Sequence, residues 1–350
     1  MKQFDSAYAI LTKGVEGKAF PAAILEVGTH DVVLCKESFG TLTGEKESSD
    51  ATVDTVFDLA SLTKVVATST LAMTALDLGL LKLNSKISDH LGEWRGIDRD
   101  TVTIKDLLEH SSGLTAHLPF FRDCQDRKEF ERAICTMPLE YRPRSKSVYS
   151  DLGFILLGFI LEDLFSCTLD VKFDQLVKRF GWGDICFCPP ASWKERIAPT
   201  GVDPWRGRSL VGEVQDENAW ALGGVSGHSG LFGTAAAVGN FARFLLNGYT
   251  GDKLVVQPET IIRFMEVSRV SGSSRALGWD TMRPTSSCGQ KMSLSSIGHT
   301  GFTGSSLWID LQCDVYIVLL TNRVYLSKAN EAILQIRPAL HNAVMKAFGK

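Results

Sequence analysis

Two kinds of hydrophobic pattern follow one another in the first part of this 350-residue chain. Apolar runs at 22–27 and 32–35 are separated by the tetrapeptide Gly-Thr-His-Asp at 28–31, which predicts a β-hairpin. Over 62–81, apolar residues recur at helical spacing with few breakers before Gly79, which predicts a long, buried helix. We therefore expect antiparallel strands first and a core helix after them.

The middle of the chain has mainly helical periodicity, interrupted by loops rich in Gly, Pro and Ser. The predicted helical stretches are 104–110, 154–165, 171–180 and 235–247. Near the end, 305–310 and 315–320 are typical of strands, and 329–347 is typical of a helix interrupted by Pro338.

Strands at both ends of the chain predict one sheet formed by both termini. We expect an α/β fold of the α+β type, in which helices flank an antiparallel sheet and a mainly helical part is inserted. The α/β part comprises 1–75 and 285–350, and the helical part comprises 76–284, within a single functional unit. No repeat, charge block or linker marks a clean boundary between them.

Composition excludes several classes of protein. With 44% hydrophobic and 22% charged residues, the chain can bury a sizeable core, which excludes a disordered or collagenous protein. A net charge of −3 offers no general attraction for nucleic acid or anionic lipid, so we expect neither as a partner. No apolar run reaches 18 residues and the first five residues are not those of a secretory segment, so we expect a soluble, cytoplasmic protein.

The eight cysteines do not indicate a metal centre. Cys186 and Cys188 form the only close pair, and no second Cys or His pair at zinc-finger spacing follows them. We expect free thiols, no metal and no cofactor.

The first candidate for chemistry is Ser61-Leu62-Thr63-Lys64, the only S-x-x-K in the sequence. It lies where a strand-like segment at 56–59 gives way to the long helix. Positions i and i+3 share one face of a helix, so the Lys64 amine can reach the Ser61 hydroxyl and act as its general base if its pKa is lowered. About one S-x-x-K is expected by chance in a chain of this size, so the motif alone is weak.

Two further motifs each have an ordinary structural explanation. Tyr149-Ser150-Asp151 precedes an apolar helix and could cap it, although a tyrosine near cations can also relay protons. His299-Thr300-Gly301 could be a Gly-rich turn, although its small residues also allow a substrate backbone to approach while His299 and Thr300 supply donors.

Together, in this order, the three motifs are much more specific than any one of them. The sequence resembles the serine β-lactamase and penicillin-binding protein superfamily, in its class C-type branch, which also contains DD-peptidases and esterases. The segments that carry the resemblance are 57–64, 103–114, 149–154 and 227–234, so it spans nearly the whole chain. The implied fold is β-lactamase/transpeptidase-like.

The resemblance implies a role for each motif residue. Ser61 would be acylated, Lys64 and Tyr149 would share proton transfer, and Asp151 would hold Lys64 and a substrate amide. The substrate would also contact His299, Thr300, Gly301 and Phe302, and the backbone amides of Ser61 and Phe302 would form the oxyanion hole.

Two departures from the common class C β-lactamase pattern bear on the substrate. Asp151 stands where Asn is usual, which adds a negative charge that favours a protonated Lys64. His299 stands where the Lys of K-T-G is usual, and a neutral His attracts a substrate carboxylate less than Lys does. Peptidase or esterase activity is therefore favoured over efficient β-lactamase activity.

The leading hypothesis is a serine hydrolase that cleaves an amide or ester, on a small-molecule or peptide substrate such as a cytosolic muropeptide, with β-lactams as acylating ligands. The alternatives are a β-lactamase proper and a sensor or binding protein that acylates without turnover. An α/β-hydrolase is rejected because the chain has no G-x-S-x-G motif. The choice between Lys64 and Tyr149 as general base stays open.

Overall fold

The computed structural model describes residues 3–249 and 256–349. The strands are β1 (Ala22–Gly28), β2 (Val33–Gly40), β3 (Phe57–Asp58), β4 (Ile185–Phe187), β5 (Val202–Asp203), β6 (Arg208–Ser209), β7 (Leu231–Gly233), β8 (Asp280–Thr281), β9 (Ser296–Thr300), β10 (Ser306–Asp310) and β11 (Val315–Thr321). The α-helices are α1 (Asp5–Glu16), α2 (Thr70–Asp77), α3 (Ile104–Leu108), α4 (Arg127–Thr136), α5 (Asp151–Phe165), α6 (Leu169–Phe180), α7 (Glu217–Ala221), α8 (Ala235–Tyr249), α9 (Pro258–Met265) and α10 (Ile333–Ala347). A π-helix (Lys64–Ser69) leads directly into α2, and short 3-10 helices lie at Ile87–Asp89, Phe120–Arg122, Ala191–Arg196 and Arg323–Tyr325.

Strands from both ends of the chain pair in one six-stranded sheet, in the order β2-β1-β11-β10-β9-β8. Every neighbouring pair in it is antiparallel, and β1 meets β11 with Leu25 opposite Leu319. This confirms the predicted fold class, an antiparallel sheet with helices on it, and the predicted meeting of the two termini. A smaller three-stranded sheet, in the order β3-β7-β4, is formed by strands from the part of the chain between the two termini.

Every residue of the central strands β1, β10 and β11 is buried, and most of these residues are apolar, because both faces of the sheet are covered. In β1, Ile24 contributes to one hydrophobic core, whereas Leu25 and Val27 contribute to the other. In β11, Val318 and Ile317 alternate in the same way. Since side chains of a strand alternate between faces, each strand supplies both cores at once.

One face of the sheet is covered by α1 and α10, and the other by α8 and the inserted helices. Helix α1 was not predicted from the sequence, although its buried side, which includes Ala7 and Leu11, packs in the core beneath α10. Helix α10 begins at Ile333, four residues later than expected, and continues through Pro338.

Two consecutive helices fill the centre of the inserted part. Every residue of α5 from 152 to 161 is buried, whereas α6 buries only Leu169, Phe173 and Leu176. Within the described ranges no single helix has the length and apolar composition needed to cross a membrane, although α5 and α6, bent by 74° to each other, meet those criteria when counted together.

The expected helix over 62–81 is present, but its first six residues form a π-helix. The division into parts at 75 and 285 stays a prediction. Strand β8 and helix α8 belong by sequence to the inserted part, yet β8 extends the large sheet and α8 packs against β1 and β11.

Candidate active site

Ser61 lies in a sharp turn between β3 and the π-helix. Ala60 adopts a left-handed backbone conformation with φ of 47°, which is unfavourable for a residue with a Cβ atom. The amide of Ala60 donates to Asp58 Oδ1 at 2.8 Å, and Thr63 Oγ1 donates to the Ala60 carbonyl at 2.6 Å. Burial raises the pKa of Asp58 to about 6. These bonds hold the turn that presents Ser61 to the cleft.

Lys64 lies beneath Ser61 and is fully buried. Its Nζ donates to Ser61 Oγ at 3.2 Å and to the His228 carbonyl at 2.9 Å, and it lies 2.7 Å from Asp151 Oδ1. Nζ is also 4.9 Å from the centre of the Tyr149 ring. The expected i, i+3 contact between Ser61 and Lys64 is therefore made, although the second residue opens a π-helix.

Tyr149 and Asp151 flank the start of α5. Ser150 caps this helix, since its hydroxyl accepts a hydrogen bond from the Gly153 amide at 3.3 Å. Tyr149 lines the same cleft as Ser61, and its ring centre lies 4.9 Å from Lys64 Nζ. The capping explanation of the Tyr-Ser-Asp motif is therefore confirmed for Ser150, whereas the proton-relay role of Tyr149 stays a prediction.

Opposing electrostatic effects set the charges of Lys64, Asp151 and Tyr149. Burial disfavours the ammonium of Lys64, but the carboxylate of Asp151 outweighs it and holds the pKa of Lys64 above its usual value. Burial also disfavours the Asp151 carboxylate, but Lys64 and the neighbouring His117, whose Nδ1 lies 3.7 Å from Oδ2, hold the pKa of Asp151 well below the usual range. Burial raises the pKa of Tyr149, against a smaller lowering by Lys64. At neutral pH the resting site contains an ammonium, a carboxylate and a neutral phenol.

His299 ends strand β9 on the wall opposite α5, with its ring 5.8 Å from the Tyr149 ring. It is buried, and its Nδ1 lies 2.9 Å from the Thr300 carbonyl, which fixes the proton on Nδ1. Burial and the charges of Arg275 and Lys64 lower its pKa well below the usual value. Its Nε2 is a buried acceptor that has no hydrogen-bond partner in the described part of the chain.

The turn after β9 brings backbone donors towards Ser61. The Gly301 amide donates to the Ser305 carbonyl at 2.7 Å, and a Cβ atom at Gly301 would lie 2.7 Å from the carbonyl oxygen of Leu59. Only glycine permits this approach. Among the described residues, neither the Ser61 nor the Phe302 amide donates to a protein acceptor, as an oxyanion hole requires.

A buried cation supports this turn from α10. Arg337 donates to the carbonyls of Gly301 at 2.8 Å, Ser305 at 2.9 Å and Gly304 at 3.1 Å. Burial lowers the pKa of Arg337 to about 9. Nothing in the sequence around 337 indicated this role, because the contact joins a C-terminal helix to a turn more than 30 residues earlier.

These residues line one cleft of about 660 Å³. The cleft brings together Ser61, Tyr149, Asp151, His299, Thr300, Gly301 and Phe302, with Lys64 buried behind Ser61. The phenyl ring of Phe302 is 46% exposed and lies beneath the guanidinium of Arg323. All the candidate residues named from the sequence are therefore in one place, and their individual roles stay predictions.

Arg275 is a cleft residue that the sequence analysis missed. Its guanidinium lies 5.2 Å from the centre of the Tyr149 ring, and it reaches the cleft from the loop between α9 and β8. Among residues 3–249 and 256–349, no salt bridge joins Arg275 to a carboxylate. The cleft wall that carries the neutral His299 therefore still has a positive charge. Arg275, a loop residue outside the three motifs, supplies that charge.

His228 is held by side chains behind the cleft. Its Nε2 lies 2.8 Å from Asp216 Oδ1 and its Nδ1 lies 2.9 Å from Ser226 Oγ. Its contribution to the nucleophile's surroundings is its carbonyl, which accepts from Lys64. The imidazole itself is paired with Asp216 and Ser226 and makes no contact with Ser61 among the described residues.

Asp151 and Asp216 also approach His117, and one ligand atom from each of the three lies within 4.8 Å of the others. Such a trio has the donor types of a metal site. Asp151 is paired with the Lys64 ammonium and His117 lies between two carboxylates, so the charges balance within the protein. We assign the trio as an ion-pair network.

The fold and the comparisons together define a class of hydrolases related to β-lactamases. The family model described as Beta-lactamase matches residues 9–341, and the chain belongs to this family. Its relatives include proteins named "Putative D-alanyl-D-alanine carboxypeptidase" from Escherichia coli strain K12 (33% identical over 78% of this chain and 70% of the relative) and from Salmonella gallinarum (31% identical over 81% and 73%). The chain is a hydrolase of the β-lactamase family.

Solved structures share the fold at lower identity. EstCE1, a hydrolase with promiscuous acyltransferase activity, superposes with a TM-score of 0.77 at 19% identity and covers 97% of this chain and 98% of its own. A class C β-lactamase from Rhodobacter sphaeroides has a TM-score of 0.77 at 18% identity and covers 99% and 100%. They confirm the predicted β-lactamase/transpeptidase-like fold.

Proposed function

We propose that this hydrolase works through an acyl-enzyme on Ser61 and has a DD-carboxypeptidase-like preference for acyl substrates whose leaving group ends in a carboxylate. The observation that carries the proposal is the hydrogen bond of Lys64 Nζ to Ser61 Oγ at 3.2 Å, in a cleft that Tyr149 also lines. A serine hydroxyl needs such a partner to become a nucleophile at neutral pH.

The proposed reaction has two acyl-transfer steps. Ser61 Oγ attacks the substrate carbonyl while its proton passes to Lys64 or Tyr149, and the carbonyl oxygen becomes negative between the amides of Ser61 and Phe302. The scissile bond breaks as the same proton reaches the leaving amine or alcohol. Water then attacks the ester on Ser61, returns a proton to Oγ and releases the acid.

Arg275 supports the carboxylate preference. His299 is neutral, so Arg275 supplies the positive charge on the wall opposite Asp151. A carboxylate beside this guanidinium would place the leaving group along the β9 wall and away from Asp151, which would repel it. The names of the carboxypeptidase relatives are consistent with this preference.

The test compares three substrates with the wild type and with Ser61→Ala. The substrates are an acyl-D-Ala-D-Ala peptide, an ester of similar size without a carboxylate, and a penicillin. We expect the peptide to be cleaved with the highest kcat/KM, the penicillin to form a long-lived adduct, and Ser61→Ala to be inactive. Ser145→Ala, which changes an exposed serine, is the matched control and keeps full activity.

Each alternative function predicts a different result in this substrate comparison. Rapid turnover of the penicillin would make the protein a β-lactamase proper, and a single turnover of every substrate would make it a sensor or binding protein. A cytosolic muropeptide as the natural substrate stays a prediction, and recovery of the protein from the periplasm on cell fractionation would contradict it.

A further inference from the structure

One end of the cleft carries charged side chains that the proposed reaction does not use. It is lined by Glu217 from the start of α7, Arg323 from the 3-10 helix after β11, and Lys328 from the loop before α10. The Arg323 guanidinium lies 5.0 Å from the centre of the Phe302 ring, so this end adjoins the turn that carries the Phe302 amide. We call these four residues the Arg323 end of the cleft.

Arg323 is a buried cation whose donors are only partly used. It is 9% exposed, and its Nη1 donates to the carbonyls of Lys328 at 3.3 Å and Asn330 at 2.7 Å. Among the described residues, its Nε and Nη2 donate to no acceptor, and no salt bridge joins it to a carboxylate. A guanidinium has five N–H donors and a fixed positive charge, so the remaining donors favour an anion in the cleft.

Lys328 places a second cation beside Arg323. Its carbonyl accepts the hydrogen bond from Arg323, and its Nζ lies 3.2 Å from Glu217 Oε1. The Lys328 side chain is 41% exposed, so a ligand in the cleft can reach the ammonium. Since an ammonium has three donors and Glu217 accepts one, a second carboxylate can bind without breaking this ion pair.

Positive charge exceeds negative charge in this part of the cleft. The cations are Arg323, Lys328 and the buried Arg337 of α10, which donates to backbone carbonyls. The carboxylates that act on them are Glu217, paired with Lys328, and the exposed Glu331, whose charge acts on Arg323. One further carboxylate would balance the charges here, in a cleft where electrostatic attraction is stronger than in water.

The proposed reaction directs the acyl group towards the Arg323 end. The substrate oxygen lies between the amides of Ser61 and Phe302, and the leaving group takes its proton from the group that contains Tyr149. The leaving group therefore lies beside Tyr149 and Arg275. A tetrahedral carbon has one direction left for the acyl chain, and the part of the cleft left for it is the Arg323 end.

We propose that the Arg323 end is an acyl-side subsite that binds a carboxylate, so that the preferred substrates carry one carboxylate on each side of the scissile bond. The acyl carboxylate accepts hydrogen bonds from Arg323 Nη2 and Lys328 Nζ. The exposed ring of Phe302 packs against the carbon chain that bears it. The inference rests on the proposed Ser61 acyl-enzyme and names the acyl group that this enzyme accepts.

The experiment compares kcat/KM for three D-Ala-D-Ala peptides that differ only at the N-terminal acyl group. The groups are succinyl, which ends in a carboxylate, succinamoyl, its neutral amide, and γ-aminobutanoyl, which ends in an ammonium. The variants are Arg323→Met and Lys328→Glu, and the second of them changes a half-exposed side chain. Lys128→Glu, at an exposed position on α4 outside the cleft, is the matched control. Near-UV circular dichroism shows that each variant is folded.

We expect the wild type to prefer the succinyl over the succinamoyl peptide by about tenfold, as expected for one charge-assisted hydrogen bond. The preference should vanish in Arg323→Met, shift towards the γ-aminobutanoyl peptide in Lys328→Glu, and stay unchanged in Lys128→Glu.

Equal values for the succinyl and succinamoyl peptides in the wild type, with Ser61 labelled by a fluorophosphonate, would overturn the subsite and leave the acyl-enzyme standing. A succinyl preference that both folded variants keep would also overturn it. A wild type that gains no adduct on Ser61 and cleaves none of the peptides would defeat the proposed function, and the inference with it.

Discussion

At the scale of single residues, the charge of Asp151 decides how the site rests. Burial lowers the pKa of Lys64, but its neighbours, chiefly the Asp151 carboxylate 2.7 Å away, raise it above the usual value. An amide at this position would remove the attraction and leave burial as the main influence. The charged Asp151 side chain therefore lowers the fraction of neutral Lys64 at low pH. Lys64 must lose a proton before it can accept one from Ser61.

Replacing Asp151 by Asn tests this balance. We expect the pKa of Lys64 to fall, because the opposing effect of burial is no longer outweighed, and the acid limb of the acylation profile to move about 1–3 units to lower pH. The measurement is the fluorophosphonate rate as a function of pH. An acid limb that stays in place would show that Asp151 does not control the proton on Lys64.

Arg275 determines substrate preference if the proposed carboxylate contact exists. Arg275→Ala should lower kcat/KM for a peptide with a free terminal carboxylate by about 10–100-fold, the range expected for loss of one charge-assisted hydrogen bond. The matching peptide amide, which has no negative charge to lose, should change by less than about threefold. Equal losses on both peptides would assign Arg275 to the packing of Tyr149 instead.

At the scale of elements, α10 supports the turn that carries the oxyanion amides. Arg337 reaches from this helix to three carbonyls of the 301–305 turn and pairs them with a buried positive charge. Without the guanidinium, the Gly304 carbonyl loses its donor, and the Gly301 and Ser305 carbonyls keep only the backbone amides of Gly304 and Gly301.

Arg337→Met should therefore lower both stability and acylation. We expect about 2–4 kcal/mol less free energy of unfolding in urea and an acylation rate at least tenfold lower, as expected for a displaced oxyanion donor. Arg132→Met, an exposed change on α4, is the control. Acylation at the wild-type rate in folded Arg337→Met protein would show that the turn keeps its shape without α10.

The elements that the sequence predicted are those with a strong local pattern. The 22–27 and 32–35 hairpin, the helix from 62 and the strands at 305–310 and 315–320 all appear close to their expected bounds. Strand β9 was noted only as a Gly-rich motif, because its own sequence, SIGHT, has too few apolar residues to show a period.

The site was predictable where its residues lie in motifs and not where they come from loops. Ser61, Tyr149 and His299 were found because short signatures surround them. His117 and Arg275 reach the cleft from irregular segments, and their positions depend on tertiary contacts that leave no periodic pattern in the sequence.

At the scale of the whole molecule, the two predicted parts share one hydrophobic core. The larger core includes Ile24 and Val318 of the sheet together with Leu156 and Phe241 of the inserted helices. The cleft is lined by both parts, with Ser61 and His299 from the α/β part and Tyr149 from the inserted part. A site built across both parts works only if they are held rigidly together.

The shared core predicts that the chain unfolds as a unit. We expect one calorimetric transition, with matching calorimetric and van't Hoff enthalpies, and the same midpoint from near-UV and far-UV circular dichroism. Two resolved transitions would instead mean that the parts divided near 75 and 285 are stable separately.

The central claim is that Ser61 is the activated nucleophile, and covalent labelling tests it most directly. The wild type, Ser61→Ala and Ser145→Ala are incubated with a fluorophosphonate, and the adduct is located by intact mass and peptide mapping. The account predicts one adduct, on Ser61, in the wild type and in Ser145→Ala, and none in Ser61→Ala. A folded wild-type protein that gains no mass, or gains it at another residue, would contradict the account.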